Sequence, residues 1–449
     1  MAYNFRPYEP NQVFLIPPSI DEWLPENHLA RFIDEVVETM DLDEFYAGYR
    51  EDGCGNTAYH PKMQVKLLLY SYCVGVSSSR RMEAYCVDQV AFRYLSCNQF
   101  PDHRTISRFR RTYAKQLQKQ FTHILELCKE AGLVKMGKVS LDGTKLKANA
   151  ALEANRDLEY LSKEVERMLA EAEAKDQEED ELYGKDKRGD EVPEDLRSRK
   201  SRLEKFKAAK QKLEAQAAQR AEEHQEKLEE REAQEEASGE KLRGRKPNPE
   251  PKVKTDKINL TDEDSRIMKT RQGYVQGYNG QAMVDCSSQI IVAQELTQDC
   301  NDKKQLAPML AAVKEQSGQV PTAVLADAGY WSEANAKLET EETELFIAVH
   351  KDWKQRKALR EQPVSKGRIP KRATLAERME RRLLTKRGRA TYPWRGKTVE
   401  PVFGQIKGRG LGDLRLRGKD GAELEWSLYC STHNLLKLWR FTMKRSKEG

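Results

Sequence analysis

Asp142, Asp327 and Glu400 are the residues whose types and placement could do chemistry together. Asp142 closes the β-branched run Lys138-Val-Ser-Leu-Asp, just before Gly143. Asp327 closes Ala323-Val-Leu-Ala-Asp. Glu400 lies near the start of Thr398–Lys407, which reads as a helix. Each has an ordinary reading alone, as a turn cap or a solvated helix position. Brought together, three carboxylates repel unless a cation neutralises them. Hard divalent cations prefer oxygen ligands and leave room for phosphate and water, so Mg²⁺ or Mn²⁺ is the natural partner. Two ions about 3.5–4 Å apart suit phosphodiester chemistry without a covalent enzyme intermediate. Lys407 follows Glu400 by two helical turns and shares its face, so one can hold metal while the other holds phosphate.

The aspartates meet only if the strands they end are neighbours. With residues 151–254 set aside, the element order from Lys138 onward is β, β, β, α, β, α, β, α. The strands are Lys138–Gly143, Gly273–Asp285, Gln289–Leu296, Ala323–Asp327 and Leu345–Val349. The helices are Lys303–Gln316, Glu333–Leu338 and Thr398–Lys407, and a last apolar helix spans Leu424–Met443. Crossovers through such helices give a mixed sheet flanked by helices, an α/β fold with the element order of ribonuclease H-like proteins. In that order the first and fourth strands are adjacent, and the later helix delivers the glutamate.

The rest of the chain divides by composition. Residues 1–135 read as all helical. Pro61–Val76 has a strong apolar face, a second helix runs from about Arg80 to Ser96, and Asp102 is placed to cap a third. That third helix carries Arg104, Arg108, Arg110 and Arg111, and Lys115 and Lys119 follow. This is the pattern of a helix-turn-helix-like DNA-binding domain, although a solvated basic face would look the same. Residues 136–150 and 255–449 form the catalytic domain. Between them, 151–254 is a charged insertion with Leu158, Leu161, Val165 and Met168 on one helical face and a second helix over Glu194–Ser238. Joined by a short loop, the two would make an antiparallel, coiled-coil-like hairpin reaching about 65 Å.

Of 449 residues, 33% are charged and 38% hydrophobic, and the net charge is +6. No apolar run is long enough to span a membrane, and no signal core opens the chain. The eight cysteines form no Cys-x-x-Cys pair, which argues against a zinc ribbon or a secreted disulfide scaffold. A cytoplasmic protein with reduced thiols is expected.

At its acidic positions the chain resembles the DDE transposases of bacterial insertion sequences. Ser140-Leu-Asp-Gly-Thr-Lys-Leu-Lys-Ala-Asn-Ala is similar to their first-aspartate motif, Ala326-Asp-Ala-Gly-Tyr to the second, and Val399-Glu-Pro-Val-Phe-Gly-Gln-Ile-Lys to the glutamate motif. His60-Pro-Lys-Met, Phe100-Pro-Asp-His-Arg-Thr-Ile-Ser-Arg, Asn259-Leu-Thr-Asp-Glu-Asp and Gly277-Tyr-Asn-Gly-Gln resemble further segments of that family. Its Tyr-Arg-Glu-Lys signature maps onto Tyr392, Arg395, Glu400 and Lys407, with one extra residue between Arg395 and Glu400. The resemblance implies binding of double-stranded DNA at terminal inverted repeats, nicking there, and attack of the freed 3′-hydroxyl on target DNA. It implies Mg²⁺ or Mn²⁺ as cofactor, two ions in the family's scheme, and a homodimer that holds two DNA ends. Arg395, Lys397, Lys407, Arg409, Arg415 and Arg417 would line the phosphate path, and Trp331, Tyr392 and Trp394 would either stack on a flipped or frayed base or serve as core or surface anchors. Two alternatives use the same residues differently: a nuclease that cuts without joining, and a DNA-binding scaffold with inert carboxylates.

Overall fold

The strand Gly273–Asp285 organises the sheet, because its thirteen residues are long enough to pair with three neighbours. In the computed structural model, which describes residues 19–49, 57–183, 194–238, 257–270, 273–370 and 372–448, eight strands are present. They are β1 (Lys138–Lys147), β2 (Asn155–Asp157), β3 (Lys257–Asn259), β4 (Arg266–Thr270), β5 (Gly273–Asp285), β6 (Ile291–Thr297), β7 (Ala323–Ala326) and β8 (Glu344–Ile347). Along one edge of β5, β4 pairs with its first half and β6 with its second, both antiparallel. The other edge pairs antiparallel with β1 from Val139↔Asp285 to Lys147↔Gly277. Beyond β1 the sheet continues in parallel through β7 and β8. The result is a mixed sheet flanked by helices.

Alternate residues of β1 and β5 point to opposite faces. Ser140 meets the backbone of the helix Trp394–Gly408, and a Cβ on Gly280 would strike Trp426 of the helix Lys419–Glu448, so those two helices cover one face. The helix Leu306–Ser317 packs on β6 and β5. Its apolar positions Leu306, Met309, Ala312 and Val313 are buried.

The described residues of the N-terminal segment are mainly helical, as their patterning predicts, while 1–18 and 50–56 of the expected helical segment lie outside the described residues. Asp102 caps the helix His103–Thr112 by accepting the Thr105 N–H at 2.7 Å. The expected Arg80–Ser96 helix is divided at Gln89, whose extended backbone separates Ser79–Asp88 from Val90–Leu95. These helices have no core of their own. One apolar cluster runs from Leu24 through Phe121 and Val139 to Leu438. The last helix makes this continuity, packing on Pro61–Cys73, on Ala114–Glu130 and on β6. The boundary near residue 135 therefore marks a change of secondary structure within one core.

The insertion contains the helices Leu158–Tyr183 and Glu194–Ser238, of 26 and 45 residues. A small separate cluster of Leu161, Val165, Phe206, Ala209, Leu213 and Ile258 joins them. The short ladder β2–β3 closes their base, pairing Asn155 with Asn259 and Asp157 with Lys257. Among the described residues of the longer helix, none beyond Leu213 is buried.

Candidate active site

Parallel pairing of β1 and β7 sets the register Lys138↔Ala323, Val139↔Val324, Ser140↔Leu325. Two residues further on each strand come Asp142 and Asp327, so the acids sit at one level where the pairing ends. Asp327 caps the turn Ala328–Tyr330, and its Oδ1 accepts the Gly329 N–H at 2.8 Å. Asp142 does not end its strand as its sequence context predicts. β1 continues to Lys147, because the long β5 supplies partners through the Asp-Gly step, Asp142↔Ala282 and Gly143↔Gln281. Tertiary pairing overrides local turn chemistry here.

The helix carrying Glu400 starts at Trp394, a turn earlier than expected, and contains Pro401. Proline has no N–H to give the carbonyl four residues back. That carbonyl, on Lys397, accepts from Gln289 Nε2 at 3.4 Å instead. The early start places Arg395 on the first turn, where it is only 5% exposed. Its Nη1 lies 2.9 Å from Asp142 Oδ2, and its Nη2 lies 3.4 Å from Glu400 Oε1. Arg356 approaches Glu400 from the helix Asp352–Glu361, at 3.8 Å. Arg395, expected on DNA phosphate, is turned into the acidic site.

Asp142 has its carboxyl pushed up to about 7. Burial is the main cause, Arg395 opposes it, and the Asp327 and Asp302 charges add to it. A dication would relieve this cost, and the guanidinium between Asp142 and Glu400 is already a cation in that position. The donors are carboxylate oxygens, the set hard divalent ions take. The chemistry of these donors, though not yet their arrangement, suits Mg²⁺ or Mn²⁺. Among the described residues no three acids yet converge on one point at ligand distance, since the half-exposed Glu400 is drawn towards the arginines.

The raised carboxyl has a consequence for stability. From its ordinary 3.8 up to about 7, the folded state keeps a proton that the unfolded chain has lost. Stability from this group therefore falls as pH rises through that window, and below it the cost is absent. The melting-temperature advantage of Asp142→Asn over wild type, measured without divalent metal, should grow from pH 4 to 7 and then level off. An advantage that does not change with pH would show that the carboxyl is not desolvated.

The other expected site residues separate. Tyr392 is 3% exposed and packs in a second cluster with Phe346, Leu383 and Cys286, the position of a core anchor. Its helical neighbour Trp394 is 43% exposed, with Lys397 Nζ over its ring at 5.9 Å. Lys407 is exposed, has its pKa lowered by partial burial of the ammonium, and pairs with no carboxylate among the described residues. Arg104, Arg108 and Arg111 lie exposed on one face of their helix, while Arg110 faces inward and is buried. Asp302, Lys145 and Arg356 were not singled out from the sequence. They belong to a loop, a strand interior and a generally basic stretch, where nothing in the pattern distinguishes them.

Comparison with known families gives two matches. Residues 18–112 match a transposase domain (DUF772), and residues 241–435 match a transposase DDE domain. Asp327 and Glu400 fall inside the second match, and Asp142 lies between the two. Neither the curated proteins nor the solved structures compared with the chain give a match. The chain belongs to the insertion-sequence DDE transposases. Among the described residues, no helix is long and apolar enough to cross a membrane.

Proposed function

We propose that this transposase binds the terminal inverted repeats of its element as double-stranded DNA, cuts there, and joins the freed 3′ end to target DNA. Asp142, Asp327 and Glu400 hold two divalent ions, Mg²⁺ or Mn²⁺, on a ribonuclease H-like sheet. The observation that supports this reading is the register of β1 with β7, since Asp142 and Asp327 each follow the last paired residues by two positions. When bound, the metal supplies an activated oxygen nucleophile and charge neutralisation at the phosphate. The chain's own groups bind and orient. Lys407 holds a backbone phosphate on the face it shares with Glu400. Arg395 leaves the carboxylates when a dication arrives and turns to the DNA strand. Trp394, exposed beside Lys397, offers a stacking surface at the site's rim. A homodimer in the DNA complex would bring two ends together.

A strand-transfer assay with a pre-cleaved inverted-repeat end, target plasmid and Mg²⁺ tests the reading. Joined product is expected. Cutting of uncleaved ends with no joining would favour a nuclease instead.

Arg104, Arg108 and Arg111 form the exposed stripe of the N-terminal helices and bind phosphate. Replacing all three by alanine should lower the slope of log affinity against log salt by about 3, roughly one unit per arginine removed. Fluorescence anisotropy of an end oligonucleotide between about 50 and 300 mM salt measures it. An unchanged slope would place DNA elsewhere.

A further inference from the structure

The family-like segment Gly277-Tyr-Asn-Gly-Gln is not explained by the three acids, and its polar side chains lead to a fourth. Asn279 Nδ2 donates to Asp302 Oδ1 at 2.7 Å, and Gln281 Nε2 donates to the same oxygen at 2.8 Å. Lys145 Nζ stands 3.4 Å away. Both amides are fully buried. The loop that brings Asp302 in is itself fastened, since Asn279 Nδ2 also donates to the Asp299 carbonyl at 3.1 Å and Gln305 Nε2 to Asp299 Oδ2 at 2.7 Å.

This carboxylate lies close to the strand that carries Asp142 and to the turn that follows Asp327. Gly143 directly follows Asp142, and a Cβ there would sit 2.8 Å from Asp302 Oδ1 and 2.4 Å from Gln281 Nε2. The glycine is required so that the strand can lie against the network. On the other side, a Cβ on Gly329, in the turn capped by Asp327, would be 3.6 Å from Asp302 Oδ2. Gln281 extends the same link, because the Tyr330 hydroxyl of that turn hydrogen-bonds its Oε1. One charged group and two amides thus connect the peptide after Asp142 with the turn after Asp327. Lys145 is the only cation bonded to Asp302 among the described residues, at the long end of ion-pair range.

We propose that Asp302 is a positioning residue. Held by Asn279 and Gln281, it fixes the spacing of Asp142 and Asp327 and sets how tightly that pair takes its cations. The proposal rests on the reading of those two acids as metal holders. Partners behind metal ligands orient them and tune affinity, and their loss typically costs about 10–100-fold. Asp302→Asn keeps the shape, removes the charge and presents an N–H₂ to two donors.

The test is calorimetric titration of the full-length protein with Mn²⁺, without DNA, alongside melting temperature in chelator. Asp302→Asn should raise the half-saturating Mn²⁺ concentration about tenfold or more, with little change in metal-free melting. Gln281→Asn, which withdraws the amide from Asp302 by one methylene, should shift it in the same direction and serves if Asp302→Asn does not fold. Unchanged Mn²⁺ affinity with lowered melting would make Asp302 a loop fastener and overturn the proposal alone. Asp142→Asn separates the two levels. If it binds Mn²⁺ as wild type does, the active-site reading fails and the Asp302 proposal falls with it.

Discussion

Asp142→Asn protein should bind inverted-repeat DNA as wild type does and join it to target at least a thousandfold more slowly, a barrier increase of about 4 kcal/mol. The substitution keeps the side chain's size and an oxygen for the Gly143 N–H, now 2.9 Å from Asp142 Oδ1. It removes the charge that a dication needs. The fold should not suffer, because the neutral amide avoids the desolvation that pushes the carboxyl up. Asp327→Asn and Glu400→Gln should act alike, Glu400→Gln with the smaller loss because Glu400 is half exposed. The measurement is single-turnover strand transfer in Mg²⁺ with parallel gel-shift binding. If all three variants joined ends at the wild-type rate, the carboxylates would not be the catalytic groups.

The largest expected effect on stability lies away from that site. Arg110 is 3% exposed, and its Nη1 donates to the Tyr72 hydroxyl at 2.7 Å and to the Ser77 carbonyl at 2.9 Å. Glu425, fully buried on the last helix, stands 3.7 Å from that nitrogen and accepts from Tyr72 at 2.9 Å and from the Leu416 N–H at 2.9 Å. Burial already raises the Glu425 pKa, and Arg110 is the main group opposing it. Arg110→Ala strands a buried carboxylate, a change that typically costs about 3–5 kcal/mol. The urea midpoint should fall accordingly, and the apolar pair Arg110→Met with Glu425→Leu should recover much of the loss. A single-variant effect below about 1 kcal/mol would mean that water or relaxation compensates the charge.

The periodicity of helices and the compact run before Asp327 were readable in the chain, because each depends on local pattern. What was not readable depends on partners. Asp142 looks like the end of a strand until β5 is known to run beside it through Gly143. Arg110 is indistinguishable from Arg108 and Arg111 in a string of basic residues, and it is held inward by Tyr72, Ser77 and, some 300 positions on, Glu425 of the last helix. Tyr392 and Trp394 are two residues apart, yet one is core and the other surface. Asp302 sits in a loop of unremarkable composition and acquires its neighbours through the sheet. The candidate acids were thus open to a motif reading, while neighbours such as Arg356 and Asp302 were not.

The insertion also enters and leaves the protein at one place. Its two helices hang from the β2–β3 ladder, where Asp157 faces Lys257 across a single pair of hydrogen-bonded strands. Its apolar contacts are separate from the main core. Geometrically this is a detachable module on a two-strand stem. A hairpin turn could join the stem strands without moving β1 or β5. The same junction would accept an unrelated domain in exchange, so the length and chemistry of this arm are free to change while the catalytic scaffold stays fixed.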